Sequence, residues 1–209
     1  GFGLIGIMGM WEATMLTLSQ VGVALTLTLV IALPLGVIAS RSDRLDVALR
    51  PLLDAMQTLP AFVYFPVIVI LFRIGDLSGI IATVIYAMPP AVRMTNLGIR
   101  QVPREATEAA RAFGSTRLQI LAKVQIPMAL PSIMMGVNQT TMMALAMVIY
   151  AALLGATGLG FEVLLAIGEF DVGRGFEAGL SIVIVAVTTD RITQAWARRR
   201  SQALGLSIS

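Results

Sequence analysis

Long stretches without a charged residue dominate this chain of 209 residues. A helix that crosses the hydrocarbon core of a bilayer, about 30 Å thick, needs roughly 20 mostly apolar residues. Four uncharged runs have this character: Ala13 to Ser40, Ala55 to Phe72, Leu77 to Val92, and Val124 to Phe161. A fifth run, Ala178 to Thr189, reaches the required length if it continues to about Trp196. These runs predict a chain that folds across a membrane.

Composition supports this prediction, because 57% of the residues are hydrophobic and 13% are charged, with a mean hydropathy of +0.86. An ordinary soluble domain is roughly 45–50% apolar and about 25% charged. We therefore predict one all-α integral membrane domain with five transmembrane helices. The predicted spans are residues 13–40, 52–72, 77–92, 128–154 and 178–196. Residues 155–177 are predicted to form an outer, glycine-rich segment with a short amphipathic helix around residues 160–167.

Basic residues cluster at one end of the predicted spans. Of the 15 Lys and Arg residues, all except Arg73 and Arg174 lie in the first loop, the central loop or the C-terminal tail. Cytoplasmic loops of membrane proteins carry an excess of Lys and Arg, so the rule places the central loop, residues 93–127, in the cytoplasm. It also places the N-terminus outside and the C-terminus inside. A basic loop can bind nucleic acid, but between membrane spans we interpret the charge as orientation and expect no such partner.

The central loop contains the pattern of a short helix. Pro103 suits the first turn of a helix, where its missing N–H costs nothing. Glu105 and Glu108 lie near the positive end of that helix dipole. Gly114 follows at a position where a helix can end in a left-handed conformation. We predict a helix over residues 103–113 with an elbow at Gly114.

A second helix is predicted directly after this elbow. Thr116 and Gln119 have the T-x-x-Q spacing of a capping box, and Pro127 closes the helix. Two short helices joined by a small-residue elbow have a defined shape. Such a hairpin is typical of a docking element, so we expect its socket to lie on another protein.

The hairpin resembles the cytoplasmic signature of permeases in binding-protein-dependent ABC importers. That signature is Glu-Ala-Ala, three residues, Gly, nine residues, and Ile-x-Leu-Pro. The corresponding residues here are Glu108-Ala109-Ala110, then Gly114, then Val124-Gln125-Ile126-Pro127, with conservative departures at Val124 and Ile126. The segments Arg50 to Phe72, Met88 to Pro103 and Gly136 to Val148 resemble the glycine betaine, proline and choline branch. The likeness extends from Trp11 to Trp196.

The resemblance implies a type I importer permease core with a cytoplasmic coupling-helix hairpin, in the bacterial plasma membrane. It implies a homodimer, two ATPase subunits that bind ATP and Mg, and an extracytoplasmic binding protein that delivers a small zwitterionic or quaternary ammonium solute. Permeases of this branch commonly have an additional N-terminal region, which fits the abrupt start of the sequence. The residues that we assign to the ATPase contact are Glu105, Glu108, Ala109, Ala110, Gly114, Ile126 and Pro127.

The remaining sequence favours a transport subunit over an enzyme. It contains no G-x-x-x-x-G-K-[ST] motif, no His and no Cys, so we expect no cofactor or metal in this chain and ATP hydrolysis by a partner. The alternatives are an importer permease for another small solute such as an amino acid, and an ion-coupled secondary transporter. The second would need an intramembrane ionisable group, for which Asp54 is the candidate. Asp54 lies four residues after Arg50, so we predict local pairing instead. A membrane scaffold would not explain the hairpin.

Polar side chains within the spans are candidates for the translocation path. Polar groups at membrane depth face protein or a water-filled cavity. The candidates are Gln57, Tyr64, Asn138, Gln139 and Thr141. The alternative for the cluster at residues 138–141 is hydrogen bonding between subunits. Tyr64, together with Phe62 and Phe65, is a second kind of candidate, since its ring face attracts a quaternary ammonium group. The alternative for these rings is packing within the protein or contact with lipid.

Overall fold

The computed structural model describes the backbone of residues 2–203 and the side chains of residues 2–195, and its regular structure is helical. The first half contains α1 (Phe2–Ile7), α2 (Trp11–Arg41), α3 (Asp43–Thr58), a 3-10 turn (Ala61–Val63), α4 (Phe65–Phe72) and α5 (Asp76–Arg100). The second half contains α6 (Arg104–Ala112), α7 (Arg117–Ile120), a π-helical turn (Leu121–Gln125), α8 (Ile126–Leu153), α9 (Leu159–Glu169) and α10 (Val172–Ala203). The side chains of the basic tail, Arg198 to Arg200, lie outside the described residues.

Within the part of the chain that the structure describes, four helical stretches are long and apolar enough to cross a membrane: Trp11–Arg41, Asp76–Arg100, Arg117–Leu153 and Val172–Ala195. The pair formed by α3 and Ala61–Phe72 passes the same test only as a unit, with a bend of 104° at the break. Counted as one broken span, the pair brings the number to five. The five-helix prediction therefore holds, with the second helix sharply bent at the break between α3 and the 3-10 turn.

Helix α5 lies at the centre of the fold, between α2 and α8. Small residues bring these three helices close together. A Cβ on Gly136 of α8 would lie 2.7 Å from the Cβ of Met94 on α5, and a Cβ on Gly36 of α2 would lie 2.7 Å from the Cβ of Thr95. Helices in lipid gain little from apolar burial and associate through such close packing instead.

Several helices extend beyond the predicted spans. Helix α5 continues to Arg100, past the predicted end at residue 92, so the first part of the predicted central loop is helical. Helix α10 begins at Val172 rather than at residue 178. The predicted short helix around residues 160–167 is confirmed as α9. An uncharged run marks only the apolar part of a helix. The helix itself also includes charged residues beyond that part, as at the ends of α5 and α10.

Pro127 does not close the second helix of the hairpin, contrary to the prediction. Helix α7 continues through the π-helical turn into α8, and Pro127 lies in the first turn of α8. A proline is tolerated at the start of a helix because its missing N–H needs no partner there. The wider π turn just before it is a common site of a bend inside a helix. The second arm of the hairpin is thus continuous with a candidate membrane span.

Candidate coupling hairpin and translocation face

The elbow of the hairpin adopts the predicted left-handed conformation. Gly114 has a φ of +79°, and its N–H donates to the carbonyl of Arg111 at 2.9 Å. The next N–H, of Ser115, donates to the carbonyl of Ala110 at 3.1 Å. This pair of hydrogen bonds defines a Schellman motif, which satisfies the last carbonyls of α6. The direction in which the chain leaves α6 is therefore set by local hydrogen bonds.

The predicted capping box at the start of α7 is confirmed. The N–H of Gln119 donates to Thr116 Oγ1 at 3.4 Å, and the N–H of Thr116 donates to Gln119 Oε1 at 2.8 Å. Arg41, the last residue of α2, donates from Nη2 to the carbonyl of Arg117 at 3.1 Å. The hairpin is thus closed at both sides of its elbow and contacts α2 in addition to α8.

The outer surface of the hairpin is not covered by any of the residues that the structure describes. No residue of α6 is buried. At the elbow, Phe113 is 90% exposed and Leu118 on α7 is 71% exposed. An apolar pair at the tip of a hydrophilic hairpin is unfavourable in water, and exposed apolar patches of this kind mark interaction sites.

The residues assigned to the ATPase contact fall into two groups. Glu105, Glu108, Ala109 and Gly114 lie on the exposed surface of α6 and the elbow, and Ala110 is half-buried. Ile126 and Pro127 are half-buried in the first turn of α8. The structure therefore separates the two ends of the signature into an exposed tip and a base within the membrane helix.

Charged side chains join α3 to α5 at the end of the bundle that carries the hairpin, here called the hairpin end. Arg100 of α5 donates to Asp43 Oδ1 at 2.6 Å and to the carbonyl of Ala39 at 3.0 Å. Asn96 Nδ2 donates to Oδ1 of the buried Asp46 at 2.6 Å. The turn between α2 and α3 is thus attached to the end of α5, just before the hairpin.

The predicted pairing of Arg50 with Asp54 is wrong. Arg50 instead pairs with Asp46 at 2.6 Å, and Asp54 pairs with Arg93 of α5 at 2.6 Å. Asp46 and Asp54 are both four residues from Arg50, so helical spacing allowed either partner. Packing of α3 against α5 decides between them, because it supplies Asp54 with a second arginine.

Tyr64 has a structural role at the break in the second span. In an uninterrupted helix the carbonyl of Met56 would accept from the N–H of residue 60, but Pro60 has no N–H. The Tyr64 hydroxyl donates to that carbonyl at 2.9 Å. The tyrosine therefore satisfies a backbone group that would otherwise be unpaired at membrane depth. This contact turns its hydroxyl toward α3.

The polar cluster of α8 is divided by the structure. Asn138 is half-buried and accepts a hydrogen bond at 2.8 Å from Thr193 of α10, so it joins two helices of the same chain. Thr141 is buried and donates to the carbonyl of Val137 at 2.8 Å. Gln139 is exposed, as is Gln57 on α3. Of the predicted path residues, these two glutamines alone offer their amides to the outside of the protomer.

Two tertiary contacts were not predicted from the sequence. Tyr150 of α8 contacts Phe62 edge to face, with 5.4 Å between ring centroids. At the end of the bundle opposite the hairpin, Asp76 Oδ1 accepts from Gln20 Nε2 at 2.9 Å and from the N–H and hydroxyl of Thr157 at 2.7 and 3.0 Å. Both contacts join residues far apart in the chain, so no local sequence pattern predicts them.

Comparison with known proteins assigns the family. Residues 32–202 match the family described as the binding-protein-dependent transport system inner membrane component. The glycine betaine/proline betaine transport system permease protein ProW of Escherichia coli (strain K12) is 51% identical over 194 residues, which cover 93% of this chain and 55% of ProW. The glycine betaine/carnitine transport permease protein GbuB of Listeria monocytogenes serotype 1/2a (strain 10403S) is 49% identical over 199 residues, covering 95% of this chain and 71% of GbuB. The chain thus spans about half the length of ProW.

The fold has close counterparts among solved structures. An inward-facing structure of the MetNI methionine ABC transporter aligns with a TM-score of 0.76 and 22% identity, covering 93% of this chain and 95% of the other. The predicted type I importer permease fold is confirmed. The chain belongs to the family of binding-protein-dependent transport system inner membrane components, and it is a multi-pass inner-membrane protein.

Proposed function

We propose that this chain is the permease subunit of an ATP-driven importer that moves a small zwitterion with a quaternary ammonium group into the cytoplasm. The observation that carries the proposal is the hairpin, which is exposed at its tip and continuous with α8 at its base. A partner that binds the tip can move the spans, provided that its contact with the tip differs between its two conformational states. The Arg41 contact passes the same movement to α2.

The proposal includes partners that are not in the structure. Two ATPase subunits bind ATP and Mg and dock on the hairpins of two copies of this chain. A binding protein delivers the solute at the other end of the bundle. The distribution of basic residues supports a cytoplasmic hairpin end, an N-terminus outside and a C-terminus inside.

The names of the similar permeases support the solute class. ProW is named for glycine betaine and proline betaine, and GbuB for glycine betaine and carnitine. These three solutes share a quaternary ammonium group and a carboxylate on one small molecule. Identity near 50% across this chain makes the same class the natural proposal here.

Reconstitution tests the proposal. The protein is purified with its ATPase and binding protein, placed in liposomes and assayed with radiolabelled glycine betaine. We expect uptake that requires ATP and the binding protein, and that survives collapse of the ion gradients. Uptake driven by an ion gradient without ATP would establish the secondary-transporter alternative. The Asp54–Arg93 pair would then be the candidate ion relay. Uptake of an amino acid but not of glycine betaine would reassign the solute.

The path is tested by two neighbouring amides of α8 with different surroundings, because Asn138 is paired within the chain and Gln139 is exposed. Gln139 is exposed, and we propose that its amide lines the path. Gln139→Leu should then lower uptake while the complex and its basal ATPase activity remain. Asn138→Leu breaks the hydrogen bond from Thr193 and should lower the free energy of unfolding by about 0.6–2 kcal/mol. Equal behaviour of the two variants would contradict the separation into a path residue and a packing residue.

A further inference from the structure

Three aromatic rings form a cluster beside the break in the second span. Phe62, in the 3-10 turn, contacts Phe65 of α4 with 5.3 Å between ring centroids and Tyr150 of α8 with 5.4 Å, both edge to face. Phe62 is 53% exposed and Tyr150 is 38% exposed. The protomer brings the three rings together from three separate elements and leaves them at its surface.

The cluster lies on the same face of α8 as Gln139. Tyr150 follows Gln139 by eleven residues, which is about three helical turns, so the two side chains point in the same direction. Met135, Ala146 and Leu153 are the other exposed residues of this stripe. A primary amide near the middle of a span is costly against lipid. The stripe is therefore suited to border protein or a water-filled path.

The chemistry around the rings favours a cation that donates no hydrogen bonds. Aromatic ring faces attract cations electrostatically. Helix α3 ends at Thr58, directly before the cluster, and the carbonyl end of a helix carries partial negative charge. The sequence from Thr58 to Phe72 contains no charged side chain that would repel or pair with a ligand. A quaternary ammonium has a positive charge and no N–H, so it needs neither a carboxylate nor a hydroxyl.

We propose that Phe62, Phe65 and Tyr150 bind the quaternary ammonium group of the solute in the translocation path. This site rests on the proposed function, because it names residues of the same path. It replaces Tyr64, whose hydroxyl is held by the Met56 carbonyl, with Tyr150 from α8. The rings are partly open and bind the cation weakly, as transport requires, since a solute that binds tightly in the path would not leave it.

Fluorination of Phe62 tests the electrostatic part of the site. Phenylalanines with one, two and three ring fluorines keep nearly the same shape but progressively weaken the negative ring face. In the reconstituted importer with saturating loaded binding protein, the rate of glycine betaine uptake should fall at each step, by about tenfold across the series. Ring packing alone gives no such trend. A flat series in a fully assembled importer would overturn the proposal.

Leucine variants test the cluster as a unit. Phe62→Leu and Tyr150→Leu should each lower uptake more than the matched control Phe72→Leu, which removes an exposed ring of α4 outside the cluster. Equal effects at equal amounts of assembled permease would refute the site. Loss of dimer assembly by Phe62→Leu, together with a flat fluorine series, would assign the stripe to the contact between two copies.

The outcomes separate this inference from the proposed function. An unmodified importer that does not take up glycine betaine with ATP contradicts the function itself. ATP-driven uptake by the unmodified importer, combined with a flat fluorine series, contradicts the aromatic site and leaves the function standing.

Discussion

Two short connections, the elbow at Gly114 and the turn from Leu154 to Leu159, use a glycine with positive φ for different reasons. Gly114 has a φ of +79° and Gly158 a φ of +102°. A Cβ on Gly114 would meet no atom within 4 Å, whereas a Cβ on Gly158 would clash with Thr17 Oγ1 of α2. The first glycine satisfies a local conformational need at a free surface. The second satisfies a packing need between helices.

The surroundings of the two connections differ in the same way. The elbow of the hairpin is fixed by hydrogen bonds within its own residues, and Arg41 donates a further hydrogen bond to α7. The turn is held by tertiary bonds: Asp76 Oδ1 accepts from Gln20 and Thr157, and the N–H of Leu159 donates to Thr17 Oγ1 at 2.8 Å. One end of the bundle therefore presents a rigid but free element, and the other end joins its helices into one unit.

The largest effect is expected where the turn enters α9. A Cβ on Gly160 would overlap the backbone carbonyl of Val148, which cannot move aside as a side chain can. Gly160→Val should destabilise the fold by about 3 kcal/mol or more and lower the yield of monodisperse permease. Gly168→Val is the matched control on the same helix, because its Cβ would meet no atom within 4 Å. Thermal unfolding in detergent measures both; equal stability would show that the turn is looser than the structure indicates.

The next effect concerns coupling at the hairpin. Gly114→Val places a β-branched residue at positive φ, which costs about 1–2 kcal/mol, and we expect uptake to fall about tenfold or more while the permease stays folded. Open space around Gly114 means that conformation, not bulk within this chain, is the cause. Gly114→Asn should retain much more uptake, since Asn tolerates the left-handed region. Uptake by the Val variant at the unmodified rate, with equal amounts of assembled complex, would refute the coupling role.

A smaller effect is expected at the polar centre of the turn. Asp76→Ala removes the acceptor for Gln20 and Thr157 and should lower the free energy of unfolding by about 1 kcal/mol. Asp76→Asn keeps Oδ1 as an acceptor and should lose less. The order of the two melting temperatures tests whether hydrogen bonding, rather than charge, holds the turn.

The smallest effect on transport is expected from single cysteine substitutions, which show on which side of the membrane each end of the bundle lies. The chain has no Cys, so a single cysteine reports its own position. Ser115→Cys should react only with reagents that reach the cytoplasm, and Gly173→Cys only from outside, with normal uptake by both variants. Labelling in the opposite sense would reverse the orientation and remove the basis for docking an ATPase on the hairpin.

Local features of the hairpin were predictable in detail. The left-handed elbow at Gly114 and the capping box of Thr116 and Gln119 depend on residues within a few positions of each other. The continuation of the second hairpin helix past Pro127 was not predictable in this way. A proline at the first turn of a helix and a proline after the last turn look alike in sequence, and the π-helical turn that joins the two helices has no sequence signature.

Sequence alone determined the class of fold, because long uncharged runs in a chain of this composition have few ways to satisfy their backbone groups except as membrane helices. It also indicated the family, through the spacing of Glu108, Gly114 and Pro127. Tertiary structure decided which side chains meet: Asp54 with Arg93, Tyr64 with the Met56 carbonyl, and Tyr150 with Phe62. Helical periodicity gives the face on which a residue lies. The partner across that face depends on how each helix is rotated and bent, and packing sets both.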